Sequence, residues 1–220
     1  GQDTAHGGKE FNITEWLCYS TQDMQTWTDH GVVLKPTDFK WGIGEAWASQ
    51  VIEHNGKFYY YTTVQAGEPY NSKAIGVAIG DTPTGPFTDA IGKPLVTDDM
   101  TSNGARGWWN DIDPTAFIDA NGQAWLSWGN GTCFLAKLKP NLIEIDGDIQ
   151  VVDLPRYVEG PWLHKHGFIL PYICILRTRT RNHILCYRTQ YGRSMDTARR
   201  VDRYGRKQLH NPSGNYRVPR

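Results

Sequence analysis

The 220-residue sequence predicts an all-β fold of short strands gathered into repeated units of about four strands, the pattern of a β-propeller. Three observations predict it. Runs of aromatic and β-branched residues follow Asn-Gly turns, similar two-strand units recur along the chain, and residues 1–167 read as strands and turns with almost no helical periodicity. On pattern alone, a β-sandwich with similar hairpins remains the alternative.

The elements follow in order. WLCYSTQDMQTWTDHGVVL (16–34) reads as an alternating strand, a polar turn, an aromatic, then Thr-Asp and a glycine turn into a second apolar run. FYYYTTV (58–64) is a run of β-formers introduced by Asn55-Gly56-Lys57. AIGVAIGDTPTGPFTDAIGKPLV (74–96) repeats the first unit, and AWLSWGNG (124–131) repeats the second behind Asn121-Gly122-Gln123. Trp27-Thr28-Asp29 and Phe87-Thr88-Asp89 lie 60 residues apart and the two Asn-Gly turns 66 apart, the length of one four-stranded blade. Lys165-His166-Gly167 is expected to open a third copy.

Composition divides the chain in two. Residues 1–167 hold 11 Lys/Arg against 21 Asp/Glu and all nine Trp; residues 168–220 hold 12 against 2 and no Glu. A single domain rarely changes this abruptly, so we expect a folded unit over 1–167 and a basic segment over 168–220 that does not pack as native blades. No apolar run approaches the ~18–20 residues of a membrane span, which argues against a membrane protein. Four Cys offer neither metal spacing nor a disulfide scaffold, and two N-glycosylation sequons, at Asn12 and Asn130, lean toward secretion.

Two carboxylates stand in unusual settings. Asp113, in WWNDIDPTAFID (108–119), precedes Pro114 at the entrance to a strand, where proline is expected to keep it extended and aimed from the strand end. Glu159, in YVEGPWL (157–163), lies at another strand start beside Trp162; an indole neighbour is expected to desolvate it and keep it protonated, as a general acid requires. Either alone reads more simply as a turn-capping carboxylate; at the same place in consecutive repeats they favour one shared site. Trp47 in EAWASQV (45–51), Trp108 and Trp109 are candidates for stacking on sugar rings, with burial in the core as the competing reading. Asp3, His6 and Glu45 could line a pocket, though nothing specific supports them. Phosphate loops, a Ser-His-Asp order and metal clusters are absent from the sequence.

DMQTWTDHGVVL, EAWASQVIEHNGKFYYYTTV, AIGVAIGDTPTGPF, DIDPTAFIDANGQAWLSWGNG and YVEGPWLHKHG together resemble glycoside hydrolase family 43, closest in texture to its arabinofuranosidase and β-xylosidase branch. The resemblance implies a five-bladed β-propeller with its site on the central axis, acting by inversion on arabinoxylan, arabinan or xylo-oligosaccharide. It implies Glu159 as general acid and Asp113 as the carboxylate that orients the acid and tunes its pKa. It requires no cofactor for the chemistry and leaves room for a structural calcium ion in the central channel. A secreted monomer with no nucleic-acid partner is the expectation, and a non-catalytic carbohydrate-binding propeller is the alternative.

The sequence departs from the family in two places. The family's general base belongs to an Asp-Pro motif before the segment that Gly1-Gln2-Asp3 resembles, so the expectation is a propeller incomplete in its first blade, disrupted in its fourth and lacking its fifth, and a chain inactive in hydrolysis because it lacks the base. After Gly167, a reading frame shifted by one base permits Leu-Tyr-Tyr-Leu-Thr-Tyr-Ala-Ser from Phe168–Leu176, Gly-Pro-Trp from Arg193–Asp196, and a His-Pro-Gly segment from Gln208–Val218, family-like motifs in the family's order. Residues 168–220 are therefore expected to be out of frame. A basic tail for nucleic acid or acidic polysaccharide accounts for the charge but not for those motifs.

Overall fold

The structure is a computed structural model that describes residues 12–101, 109–154 and 157–165, together with the backbone of four later strands. It is all-β. Its first hairpin pairs β1 (Trp16–Ser20) with β2 (Thr28–Leu34). A short strand β3 (Gly42–Gly44) leads into β4 (Ser49–His54), β5 (Lys57–Ala66), β6 (Lys73–Gly80) and β7 (Thr88–Asp89), which form an antiparallel meander with β3 and β4 sharing one edge of β5. A second meander contains β8 (Thr115–Ile118), β9 (Ala124–Trp128), β10 (Cys133–Leu138) and β11 (Ile145–Val152). A third begins at β12 (Trp162–Lys165) and continues through the backbone of β13 (Pro171–Leu176), β14 (Ile184–Arg188), β15 (Ala198–Val201) and β16 (Lys207–Gln208). One helix appears among the described residues, the four-residue α1 (Asp98–Thr101), beside a 3-10 turn at Pro36–Asp38.

The two Asn-Gly turns do different work. Asn55 and Gly56 both take positive φ (52° and 74°), the geometry of a two-residue hairpin, and His54 pairs directly with Lys57. The second joins β8 to β9 through a wider loop. There Asp119 Oδ1 accepts the backbone N–H groups of Asn121 and Gln123, and its Oδ2 accepts Trp125 Nε1–H.

Sheets stack face to face, which explains the near-continuous apolar run of β5. Tyr60 and Val64 face Trp16, Leu34, Phe39 and Trp41 on one side; Tyr61 points the other way, into a core with Val77, Leu126, Trp128 and Phe134. Alternate residues thus fill two different cores. Each large apolar side chain buried this way stabilises the fold by about 1.5–3 kcal/mol. A third core, containing Trp125, Leu135, Leu154, Tyr157 and Leu163, joins the second meander to the third.

Strand β8 lies beside both β4 and β12, so an edge strand from each of three successive sheets is a neighbour of the next. Side chains stitch them: Gln50 Oε1 on β4 accepts the Ala116 N–H of β8, and Thr115 Oγ1 on β8 accepts the Leu163 N–H of β12 at 3.2 Å. Residues at the starts of these strands therefore converge.

Candidate active site

Asp113 and Glu159 stand at those starts, two residues before β8 and three before β12. Asp113 is half-buried, and its carboxyl is raised from 3.8 to about 6, first by burial and then by the charge of Glu159; a hydrogen bond from the Gly160 N–H acts the other way. The two carboxylates therefore feel each other. Two features differ from expectation. Asp113 is not extended: its φ is +59°, a left-handed conformation that the following proline does not prevent and that Asp tolerates better than most residues. Its backbone N–H donates to Thr63 Oγ1 on β5 at 3.0 Å, which gives the conformation a partner. Glu159 is not desolvated by its indole neighbour, because both Glu159 and Trp162 are exposed. The carboxyl whose environment favours the proton is Asp113.

Residues 129–131 lie between the segments that carry the two carboxylates. Gly129 N–H donates to Ile112 O at 2.8 Å, and Asn130 N–H to Asn110 O at 3.1 Å. On the other side, Gly131 N–H donates to Val158 O at 2.6 Å and Tyr157 O–H to Gly129 O at 2.8 Å. Asn130 and Glu159 form an antiparallel β-bridge. The sequon asparagine is thus half-buried against Glu159, whereas Asn12 is exposed.

Trp47 and Trp109 meet edge to face, with ring centroids 6.2 Å apart and planes at 76°. Trp47 stands two residues before β4, the position Asp113 holds before β8, and its N–H donates to the backbone oxygen of Thr63. Thr63 therefore connects Trp47 to Asp113. One face of Trp47 is covered by Lys73 Nζ, 4.0 Å from the ring centroid; Lys73 is fully buried and ion-paired to Glu45, which has φ +57°. Trp109 is the more open ring at 43% exposure. Trp108, Asp3 and His6 lie outside the described residues, as does the turn expected at His166-Gly167.

Sequence reasoning passed over Asp111. It is fully buried, accepts Trp128 Nε1–H at 2.8 Å and Thr101 Oγ1–H at 3.0 Å, and burial raises its carboxyl to about 6. These bonds pin the chain leading into Asp113 to α1 and β9. Its sequence signal was its place two residues before Asp113 in the same motif. Among the described residues there is no group of three or more His, Cys, Asp or Glu that could hold a metal ion. No helix among them is long and apolar enough to cross a membrane.

The family profile described as Glycosyl hydrolases family 43 matches residues 5–211. An arabinoxylan arabinofuranohydrolase from Bacillus subtilis is 30% identical over 185 residues, covering 71% of this chain and 34% of its own length. A β-D-galactofuranosidase from Aspergillus niger is 32% identical over 168 residues, covering 70% of this chain and 46% of its own. The chain thus spans a third to a half of the length of these relatives. The structure of an α-L-arabinofuranosidase from Clostridium thermocellum superposes with a TM-score of 0.70 at 27% identity, covering 98% of this chain and 68% of that one.

Proposed function

The chain belongs to glycosyl hydrolases family 43, a family of glycosidases, and from that premise we propose that it serves the inverting release of arabinofuranose or xylose from plant cell-wall polysaccharide. One observation carries the proposal: a half-buried carboxyl, Asp113, raised in part by the charge of an exposed one, Glu159, at the starts of the adjacent strands β8 and β12. Glu159 is the general acid. Its exposure leaves it open to a glycosidic oxygen. Asp113 orients and tunes it. An inverting reaction also needs a base about 6.5–9.5 Å from the acid to activate water, a role assigned to no residue in 1–220. Trp109, with Trp47 behind it, supplies the apolar wall for a sugar face. The sheets form an arc of a five-bladed propeller. The protein acts as a secreted monomer on arabinoxylan, arabinan or xylo-oligosaccharides.

The test is hydrolysis of arabinoxylan and of aryl α-L-arabinofuranoside and β-D-xyloside, followed by 1H NMR of the first sugar released. The anomer opposite to that of the substrate, with release lost in Glu159→Gln, supports the reading. Retention overturns it. Affinity for arabinoxylan with no turnover even when azide is added as a nucleophile in place of base-activated water favours the carbohydrate-binding reading instead.

The division at residue 167 carries a second proposal, that residues 168–220 are translated out of frame. The charge break and the family-like motifs of the shifted frame support it. The profile match to residue 211 and the backbone strands β13–β16 favour a continuous frame. Sequencing the transcript across the Gly167 codon decides it, and a single open frame through Arg220 removes the proposal.

A further inference from the structure

Asn130 is the one residue that bridges directly to Glu159 among the described residues outside the regular strands. Partners in an antiparallel bridge present their side chains on the same face, with Cβ atoms about 4.5–5.5 Å apart. That separation lets a carboxamide reach a carboxyl of glutamate length. The backbone of Asn130 is fixed from the opposite side, by its N–H on Asn110 O and by Gly129 N–H on Ile112 O, and Gly131 N–H ties the next position to Val158. Asn130 therefore holds its place relative to Glu159, while the exposed Glu159 side chain has rotameric freedom to lose.

We propose that Asn130 is a positioning residue for Glu159: its carboxamide donates to the Glu159 carboxyl and holds it toward the space shared with Asp113. The inference rests on the reading of Glu159 as the acid. An amide suits this place because it directs a proton at the carboxyl without adding charge, whereas a carboxylate there would repel. Three titratable groups already crowd the point: Glu159 itself, Asp113 from the approach to β8, and the buried Tyr157 hydroxyl, which feels both carboxylates. A neutral donor orients the acid without disturbing the balance between Asp113 and Glu159. Asn130-Gly131-Thr132 drew notice in the sequence only as a glycosylation sequon, and the bridge gives its asparagine a different use.

The test is a side-chain carboxyl NMR titration of the 220-residue chain labelled at glutamate, with the Glu159 signal identified by its loss in Glu159→Gln. Asn130→Ala removes a donor to the ionised form and should raise the Glu159 midpoint by roughly half a unit; Asn130→Asp adds a facing charge and should raise it by about one unit or more. In the unsubstituted chain, an NOE between the Asn130 amide protons and the Glu159 side chain is expected, which covers the case of variants that fail to fold. An unchanged midpoint in both folded variants, or no such NOE, overturns the proposal. Hydrolysis undiminished in Glu159→Gln while the NOE and midpoint shifts are present overturns the acid assignment and leaves the contact standing.

Discussion

The backbone N–H of Asp113 donates to Thr63 Oγ1 at 3.0 Å, a bond between residues 50 positions apart. Thr63 is fully buried on β5, and its own backbone is paired to Trp47 and Ala48. One hydroxyl thus holds a catalytic candidate of one sheet in a left-handed conformation against the sheet before it. Thr63→Val should leave a buried N–H without its acceptor and destabilise by about 1–3 kcal/mol. Thr63→Ser should restore most of that stability and any hydrolysis lost. Urea denaturation checks the first expectation, and equal stability of the Val and Ser variants would count against the bond.

That bond also marks what the sequence could and could not disclose. Asp113 and Glu159 were legible because proline and glycine neighbours single them out at strand starts. Their environments were not. Proline disfavours the right-handed helical region for the preceding residue but did not enforce extension, since the hydrogen bond that the Asp113 N–H donates to Thr63 Oγ1 favours the left-handed well. Trp162 is adjacent to Glu159 in sequence, yet sequence proximity does not create burial. Strands β5, β6 and β9 were readable from period and turn chemistry, whereas Asp111, Asn130 and Lys73 matter through partners far away in the chain.

Asp113 gives a pH dependence with a definite sign. Its folded value of about 6 lies above the ordinary 3.8, so the unfolded chain loses this proton first. The group's stabilising contribution is complete below about pH 4 and is lost as pH rises through 6. Asp111 adds a parallel loss through the same window. Asp113→Asn should remove Asp113's share and stabilise the fold near pH 7 by roughly 1–3 kcal/mol relative to pH 4, at about 1.36 kcal/mol per unit. Hydrolysis should fall by about 10²–10⁴ in the same variant. Denaturation midpoints at pH 4 and pH 7 decide the stability part; an unchanged pH slope in Asp113→Asn refutes it.

Lys73 and Glu45 should respond unequally to loss of their partner. Lys73 has no exposed side-chain surface, while Glu45 retains 37%. Glu45→Gln takes the carboxylate from an interior ammonium that also faces the Trp47 ring, at a cost of about 3 kcal/mol. Lys73→Met leaves a carboxylate that water can still reach and should cost less, near 1 kcal/mol after solvent screening. It should also change Trp fluorescence, because the cation leaves the indole face. A larger loss for Lys73→Met than for Glu45→Gln would show that packing of the lysine stem, not charge, dominates.

Gly129 and Gly131 flank Asn130, and alanine should distinguish them. Gly129 has φ +131°, and a Cβ added there would lie 2.0 Å from the backbone oxygen of Thr132, which no side-chain rotation relieves. Gly131 has φ +71° with open space where its Cβ would be. Gly131→Ala therefore faces only the left-handed backbone penalty, about 1–2 kcal/mol. Gly129→Ala must move the chain, breaking the bonds through which residue 129 links Ile112 to Tyr157. Its loss should exceed that of Gly131→Ala by several kcal/mol. In any folded Gly129→Ala protein the coupling between Asp113 and Glu159 should weaken, because the strap between their segments has shifted. Carboxyl titration of both residues in the two variants measures this. Equal coupling in both would mean that the bonds of Gln50 and Thr115 between neighbouring sheets set the distance between the carboxylates, with residues 129–131 adding nothing to it.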